Sequence, residues 1–257
     1  LPVCFLTMEP AENKRKKDKR MIKKNLLYEG KAKKVYETEN SELLIVSYKD
    51  DATAFNGLKK GTIAGKGSIN NRMSNILMQK LEKAGIPTHF IEEINDRETV
   101  VKRVRILPLE VIVRNISAGS FAKKYGVEEG IVFDKPVIEF SYKNDELGDP
   151  LLNAYHAEAL GLCSETEIAT IEEYAFAINE YLKKFWKKCG ITLVDFKIEF
   201  GKLADGTIVL ADEISPDTCR LWDSETGEKL DKDRFRRDLG GTEEAYEEVM
   251  KRLCEHM

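Results

Sequence analysis

Acidic and basic side chains alternate with apolar ones in the last third of the chain, in a pattern that could support chemistry. In a strand, Asp195, Lys197 and Glu199 share one face, because successive side chains point to opposite sides. Asp205-Gly206 is typical of a two-residue hairpin turn, which places Glu199 opposite Asp212 on the return strand. Two opposed carboxylates predict a Mg²⁺ site, and the phosphates of a nucleotide would complete the coordination shell of the ion. The alternative is a solvent-facing strand with unrelated charges.

A short basic turn, Gly30-Lys31-Ala32-Lys33, is a candidate phosphate-binding element. Glycine lets the backbone approach a phosphate closely, and the two lysines share one face if the alanine between them is extended. An ordinary lysine-rich surface turn is the alternative. The glycine-rich stretch 61–68 differs from a P-loop, because Lys66 is followed by Gly67 and the first glycine is one residue too close.

Two arginines are candidate anion-binding residues. Arg114 follows the apolar run 111–113 and precedes Ser120, whose hydroxyl adds a hydrogen-bond donor. An arginine binds a carboxylate or a phosphate through two parallel hydrogen bonds. Arg220 follows the acidic return strand, so it brings another cation close to the predicted carboxylate pair. A surface arginine at a strand end is the alternative interpretation of Arg114.

The elements that must position these residues follow from periodicity and turn signals. Antiparallel strands are expected over 26–48, whereas residues 50–67, with four glycines and no period, are expected to form a mobile loop. Apolar spacing predicts helices at residues 68–84, 164–190 and 242–254. Ser164 and Glu167 fit a capping box at the start of the second helix.

Strands dominate before Pro108 and longer helices follow Ser164, which predicts two unequal lobes. We expect an antiparallel-sheet N-terminal lobe over residues 21–110 and a mixed α/β C-terminal lobe over residues 111–257. The site is then expected in the groove between the lobes.

Composition narrows the class of protein. The chain has 257 residues, of which 42% are hydrophobic and 33% charged, as in a globular protein with a high charge content. No apolar run approaches the ~18 residues of a membrane helix, and no export signal is evident, so we expect a cytoplasmic protein without a membrane partner. The five cysteines lie far apart without a CxxC pair, so free thiols are expected. Three scattered histidines disfavour a histidine metal site or a Ser-His-Asp triad.

Charge is distributed unevenly along the chain. Residues 1–24 hold eight Lys/Arg and three Asp/Glu, a net charge of +5, which leaves −9 on the remainder of a chain whose total is −4. We expect residues 1–20 to be a solvated, disordered leader or tail. The alternative is a nucleic-acid-binding segment, which predicts an affinity that falls steeply with salt and is lost with residues 1–20. The net negative charge of the remaining residues counts against a nucleic-acid-binding segment, and no nucleic-acid partner is expected.

Several segments together resemble the phosphoribosylaminoimidazole-succinocarboxamide synthase (SAICAR synthetase) family. The resemblance runs from about Met21 to the C-terminus and excludes residues 1–20. The matching segments are Tyr28-Glu29-Gly30-Lys31-Ala32-Lys33, Leu107-Pro108-Leu109-Glu110-Val111-Ile112-Val113-Arg114-Asn115, Ala118-Gly119-Ser120, Lys143-Asn144-Asp145 through Asp149-Pro150, Leu193-Val194-Asp195-Phe196-Lys197-Ile198-Glu199-Phe200-Gly201, Asp212-Glu213-Ile214-Ser215-Pro216-Asp217 and Asp231-Lys232-Asp233-Arg234-Phe235-Arg236. One departure is Asn56, where many relatives carry Asp, and its role is left open.

The resemblance implies an ATP-dependent ligase of purine biosynthesis. It also implies a two-lobed α+β fold with a kinase-like and ATP-grasp-like nucleotide cleft. It implies that the carboxylate of the ribotide CAIR is joined to the amino group of L-aspartate, which gives SAICAR, ADP and phosphate. Catalytic roles fall to Lys197 and Asp195. The remaining implied roles are ATP-phosphate binding by Gly30, Lys31, Ala32 and Lys33; Mg²⁺ and ATP binding by Glu199 and Asp212; adenine contact by the segment Lys102–Ile106; and substrate binding by Arg114, Ser120, Lys143, Asp217 and Arg220. A homo-oligomer, with a dimer favoured, is also expected.

The chemistry agrees with these residue types. A carboxylate is a poor acyl donor, and transfer of the γ-phosphoryl group to it would give an acyl phosphate that an amine can attack. Phosphoryl transfer depends mainly on positioning and on charge neutralisation, which carboxylates, lysines and arginines provide. A small-molecule kinase with the same hairpin and lysines is the remaining enzyme alternative, and it would need no amine.

Overall fold

The computed structural model describes residues 21–54 and 57–257, so Cys4, Asn56 and the predicted leader 1–20 lie outside the described residues. The strands are β1 (Leu26–Glu29), β2 (Lys33–Glu37), β3 (Leu43–Tyr48), β4 (Asp51–Ala54), β5 (Lys59–Thr62), β6 (Phe90–Asn95), β7 (Glu98–Lys102), β8 (Arg105–Ile106), β9 (Leu109–Ile116), β10 (Val132–Tyr142), β11 (Leu151–Leu152), β12 (Ile191–Lys202), β13 (Ile208–Ala211) and β14 (Cys219–Asp223). The helices are α1 (Lys66–Lys83), α2 (Gly119–Tyr125), α3 (Ala154–Ala159), α4 (Glu165–Lys188), α5 (Asp233–Arg236) and α6 (Thr242–Glu255), with a 3₁₀ turn at Asp145–Leu147.

The first sheet is antiparallel and has the strand order β1-β2-β3-β7-β6. Its centre is the apolar strand β3, which packs Leu44, Val46 and Tyr48 against Val101 of β7. The β1–β2 turn is closed by a hydrogen bond from the Gly30 amide to the Lys33 carbonyl at 2.8 Å. The expected antiparallel pairing over residues 26–48 is therefore confirmed.

The predicted mobile loop at 50–67 is wrong for the described residues, because β4 and β5 form a separate antiparallel hairpin there. Ala52 and Ala54 are buried while their neighbours in β4 are partly exposed, a strand alternation that small residues conceal in the sequence. Helix α1 also begins at Lys66, two residues before the predicted start.

The second sheet is built around β12, which is twelve residues long. The main strand order is β11-β10-β9-β12-β13, and β8 and β14 also pair with β12. Helix α4 packs against β12 and β9, and it begins at the predicted capping box of Ser164 and Glu167. Both faces of β12 are almost fully buried, so its acidic residues are held away from bulk water.

One large apolar core joins the two parts of the chain, since α1, α4, α6 and the strands of the second sheet contribute to the same cluster. The chain passes from the first sheet to the second between Lys102 and Arg105. Within the described ranges, no helix is long and apolar enough to cross a membrane. Cys163, Cys189 and Cys219 are buried free thiols.

Candidate active site

A cavity of about 620 Å³ opens where the β1–β2 turn faces strands β9 and β12. Arg103 and Arg105, in the segment expected to contact adenine, do not line it, but the other expected site residues do: Gly30, Lys31, Ala32, Lys33, Lys102, Val104, Ile106, Arg114, Ser120, Lys143, Asp195, Lys197, Glu199, Asp212, Asp217 and Arg220. Residues that are far apart in the sequence therefore meet in one cleft.

The predicted register of the β12–β13 hairpin is wrong by one residue. Glu199 lies opposite Ala211 rather than Asp212. The Leu203 amide donates to the Thr207 carbonyl at 2.9 Å, so the loop has three residues instead of two. Gly206 closes it with φ 93°, the positive φ that a three-residue hairpin loop requires. Because side chains alternate, a slip of one residue would turn Asp212 away from Glu199 if the strand continued.

The backbone conformation of Asp212 brings its carboxylate to the cleft despite that register. Asp212 follows the last residue of β13 and has φ 58°, a left-handed conformation that aspartate tolerates better than most residues. Lys197 then lies 2.6 Å from the Glu199 carboxylate and 3.6 Å from that of Asp212. The two predicted metal ligands are thus connected through a lysine rather than by cross-strand pairing.

Lysines and carboxylates form a continuous network in this part of the cleft. Lys33 pairs with Asp212 and with Glu213, the latter at 2.9 Å, while Lys143 pairs with Glu199. Burial lowers the pKa of Lys33, but Asp212 and Glu213 raise it more, so its pKa lies well above the ordinary value. Burial likewise raises the pKa of Asp212, but Lys33 and Lys197 outweigh it and hold this pKa well below the usual range. Lys33 and Asp212 are therefore charged at neutral pH.

A second cluster contains both arginines and is centred on Asp195. Arg114 is buried, and it donates to Asp195 at 2.7 Å, to Glu139 at 2.7 Å and to the Ser120 hydroxyl at 3.0 Å. Arg220 donates to the same Asp195 carboxylate at 2.9 Å. Two guanidinium groups thus converge on one buried carboxylate at the edge of the cleft.

Arg220 is fixed from two further directions. Its Nε donates to Asp233 at 2.9 Å. A Cβ on Gly119 would lie 2.1 Å from the Arg220 guanidinium, so a side chain at that position would displace it. Burial lowers the pKa of Arg220, but Asp195 and Asp233 raise it more, so its pKa lies above the ordinary value.

Asp217 is held by three donors from different elements. Its carboxylate accepts from the Tyr246 hydroxyl at 2.5 Å, from Lys66 at 3.0 Å and from Lys232 at 3.2 Å. Burial raises the pKa of Asp217, but Lys232 and Lys66 lower it more, so its pKa lies well below the usual range. The carboxylate therefore fixes Lys232, which also lines the cleft.

The connecting segment between the sheets forms another wall. Lys102, Val104 and Ile106 line the cleft, and Lys102 donates to the Thr88 carbonyl at 2.8 Å. His89 lies on the same wall, where burial and nearby Lys33 lower its pKa to about 4. His89 is therefore neutral at physiological pH, and this wall is the less charged part of the cleft.

Comparison with known proteins identifies the architecture. The profile of the SAICAR synthetase family matches residues 26–253. A phosphoribosylaminoimidazole-succinocarboxamide synthase of Lachnoclostridium phytofermentans is 65% identical over 233 residues, which cover 91% of this chain and 99% of that relative. The chain belongs to the SAICAR synthetase family. The family resemblance that the sequence motifs indicate is thereby confirmed.

Solved structures of SAICAR synthetases agree with this assignment. The crystal structure of the phosphoribosylaminoimidazole-succinocarboxamide synthase from Ehrlichia chaffeensis superposes with a TM-score of 0.88 at 45% identity, and the match covers 91% of this chain and 99% of that one. A SAICAR synthetase in complex with ADP has a TM-score of 0.86 at 51% identity, and covers 88% of this chain and 96% of its own. The predicted α+β fold, similar to that of SAICAR synthetase, is confirmed.

Glu110, Glu139, Asp233 and His89 are among the polar residues of this SAICAR synthetase site that have no predicted role from the sequence. Glu110 accepts from Lys197 at 3.2 Å, and Glu139, Asp233 and His89 contact or line the cleft as described above. Glu110 shares a strand face with Arg114, so counting back along β9 in two steps of two residues would have found it. The other three depend on strand pairing and long-range packing that no local pattern shows.

Proposed function

We propose that the cleft is where this SAICAR synthetase joins the carboxylate of CAIR to the amino group of L-aspartate, with conversion of ATP to ADP and phosphate. The observation that carries the proposal is the pairing of Lys33, from the β1–β2 turn, with Asp212 at the end of β13. This ion pair spans the cleft, so an ATP phosphate bound at the turn would lie against the carboxylates and Lys197 of the second sheet.

ATP would occupy the side of the cleft formed by the first sheet. The amide-rich turn 30–33 and the lysines Lys31 and Lys33 are placed for the phosphates. Lys31 is exposed and pairs with Asp145 at 2.7 Å, which is a second contact between the turn and the opposite side of the cleft. The less charged wall of Lys102, Val104 and Ile106 suits the adenine ring. The ADP complex of a 51% identical relative supports a nucleotide in this fold.

Mg²⁺ would be held by Glu199 and Asp212. Within the described residues no group of three or more His, Cys, Asp or Glu side chains is arranged to hold an ion. Two carboxylates nevertheless fit Mg²⁺, which is commonly bound by one or two carboxylates together with substrate phosphates and water. When bound, the ion would supply positive charge to the phosphates during transfer.

The residues of this site then act mainly by stabilising the charge of the phosphoryl group that is transferred. In the first step an oxygen of the CAIR carboxylate attacks the γ-phosphorus of ATP, which forms an acyl phosphate and releases ADP. Lys33 and Lys197 are placed to stabilise the charge of the transferred group, since both stay protonated in the network. In the second step the aspartate amine attacks the acyl carbon, phosphate leaves with its bridging oxygen, and the nitrogen gives up a proton.

The arginine cluster would bind the anionic ends of CAIR or aspartate. Arg114, Ser120 and Arg220 line the cleft beside Asp195. Asp195 precedes the Lys197–Glu199 pair along β12. Asp195 fixes both guanidinium groups, and an arriving anion would meet two preorganised cations. Lys232, fixed by Asp217, adds a further positive charge to that wall.

A coupled ADP-release assay tests the proposed reaction. With ATP and Mg²⁺ present, CAIR and aspartate are each omitted in turn, and the product is analysed by mass spectrometry. We expect steady ADP release only when both are present, with SAICAR formed in equal amount. Aspartate-independent turnover that yields a phosphorylated product would favour the kinase alternative instead. A cytoplasmic location and a homodimer stay predictions from the sequence.

A further inference from the structure

A second cavity, of about 420 Å³, lies on the outer side of the segment that connects the two sheets. Its wall consists of Arg103, Arg105, Lys202, Leu203, Ala204 and Gly206. Among the described residues this wall carries three cations and no acidic side chain. It therefore differs from the main cleft, whose cations are mixed with carboxylates.

The connecting segment has two faces because its side chains alternate. Lys102, Val104 and Ile106 line the main cleft, whereas Arg103 and Arg105 line the second cavity. The segment is pressed against β12, since a Cβ on Gly201 would lie only 2.4 Å from the Val104 side chain. A ligand in the second cavity would therefore contact the reverse side of the segment that we place against adenine.

The charges of the second cavity are incompletely balanced. Arg105 lies directly opposite Lys202 in the antiparallel pair of β8 and β12, a position where like charges destabilise the sheet. Lys202 is paired with Glu167, and Arg103 lies 3.5 Å from Glu37. Among the described residues Arg105 has no ion-pair partner, although it faces another cation.

We propose that this cavity binds a small phosphate-bearing anion. A phosphate group could take two hydrogen bonds from the fork of Arg105 and a point charge from Lys202, which would relieve the like-charge pair. Such a ligand would bridge the connecting segment to β12, the strand that also carries Lys197 and Glu199. The same chemistry is offered by free pyrophosphate and by the phosphate tail of a second nucleotide.

Isothermal titration of the ADP-saturated protein with inorganic pyrophosphate tests the proposal, at fixed free Mg²⁺. Saturation with ADP blocks the nucleotide side of the main cleft, and a parallel arm adds excess ADP to detect a second nucleotide per chain. We expect one additional anion site that weakens as salt is raised. Arg105→Gln is expected to weaken it about tenfold or more, in line with the loss of charge-assisted hydrogen bonds.

Lys83→Gln is the matched control, because Lys83 is an exposed lysine of α1 remote from this wall. The melting temperature of each variant verifies that its fold is kept. The proposal is overturned if the ADP-saturated protein takes up neither pyrophosphate nor a second ADP. It is also overturned if Arg105→Gln and Lys83→Gln both bind pyrophosphate as tightly as the unmodified chain does. A failure of the first ADP to bind would appear in its own titration and would count against the proposed function instead.

Discussion

Substitution of Arg114 by lysine separates a fixed anion-binding arginine from a surface charge. The guanidinium donates through Nε, Nη1 and Nη2 to three different groups, two of which are carboxylates. A lysine keeps the positive charge but presents it as a single point, so it cannot reach Glu139, Asp195 and Ser120 together. The variant therefore disturbs geometry while the net charge of the cleft is unchanged.

The structure sets the size of the effect. At least one hydrogen bond to a buried carboxylate is lost, and such bonds contribute about 1.5–3 kcal/mol. We expect kcat/KM for CAIR or for aspartate to fall by the same ~1.5–3 kcal/mol, roughly tenfold to 150-fold. ATP affinity should hardly change, because the turn 30–33 and Lys197 lie in the other part of the cleft. The free energy of unfolding should also fall, by an amount of the same order.

Steady-state kinetics with each substrate varied in turn, combined with ATP titration and urea unfolding, measures all three quantities. Arg72→Lys is the control, since Arg72 pairs with Glu93 at 2.5 Å but does not line the cleft. Equal kcat/KM in both variants for every substrate would show that Arg114 has no role in binding. A change confined to ATP would move Arg114 to the nucleotide side and refute the assignment of the arginine cluster.

Three further predictions concern the metal ligands, His89 on the less charged wall and the connecting segment. Glu199→Gln and Asp212→Asn should each lower kcat, by an amount that corresponds to about 3–4 kcal/mol in the activation free energy, while the fold is kept. Near-normal turnover at limiting Mg²⁺ would contradict the metal assignment. For His89, whose pKa is about 4 in the fold and near 6.5 in the unfolded chain, the unfolded state binds the proton first. The stability that neutral His89 contributes to the fold is thus present above pH 6.5 and lost as pH falls towards 4. Urea titrations of the unmodified chain and of His89→Asn should show this loss: from pH 7 to pH 5 the unfolding free energy of the unmodified chain should drop by about 2 kcal/mol more than that of the variant. Gly201→Ala should destabilise the fold by about 1–3 kcal/mol, because its Cβ would collide with Val104, and should weaken ADP binding in titration calorimetry.

Local signals predict those parts of the structure that depend on local interactions. The start of α4 is predictable because Ser164 and Glu167 cap each other across a single turn. The β12–β13 hairpin is predictable in position but not in register, since an Asp-Gly pair suits loops of two and of three residues. The strand pairing and the hydrogen bond between Leu203 and Thr207 distinguish the two.

The candidate site is predictable in its residue types but not in its connections. Apart from Arg103 and Arg105, the residues with an expected role line one cleft. The Lys33–Asp212 pair, however, joins positions 179 residues apart, and no spacing rule covers that distance. The left-handed backbone at Asp212 and the three donors to Asp217 also arise from tertiary packing. The family motifs identify the residues of the site, but they do not show which of those residues contact one another.

The charge balance of the cleft leads to a last prediction, that Mg²⁺ and ADP bind cooperatively. Among the described residues the cleft wall holds nine basic and nine acidic side chains, so its lysines are already partnered by carboxylates. Phosphates that engage Lys33 and Lys197 would draw both lysines away from Asp212 and would leave Glu199 with Lys143 alone, and carboxylates that lose a cation partner in a partly buried site are destabilised. A divalent cation on those carboxylates removes that destabilisation, so Mg²⁺ should tighten ADP binding by tenfold or more, and ADP should tighten Mg²⁺ binding by the same factor. Titration calorimetry of each ligand with and without the other measures the factor, and Glu199→Gln should reduce it because one of the two charges is gone. Equal ADP affinity with and without Mg²⁺ would mean that the lysines keep their carboxylate partners when the nucleotide binds.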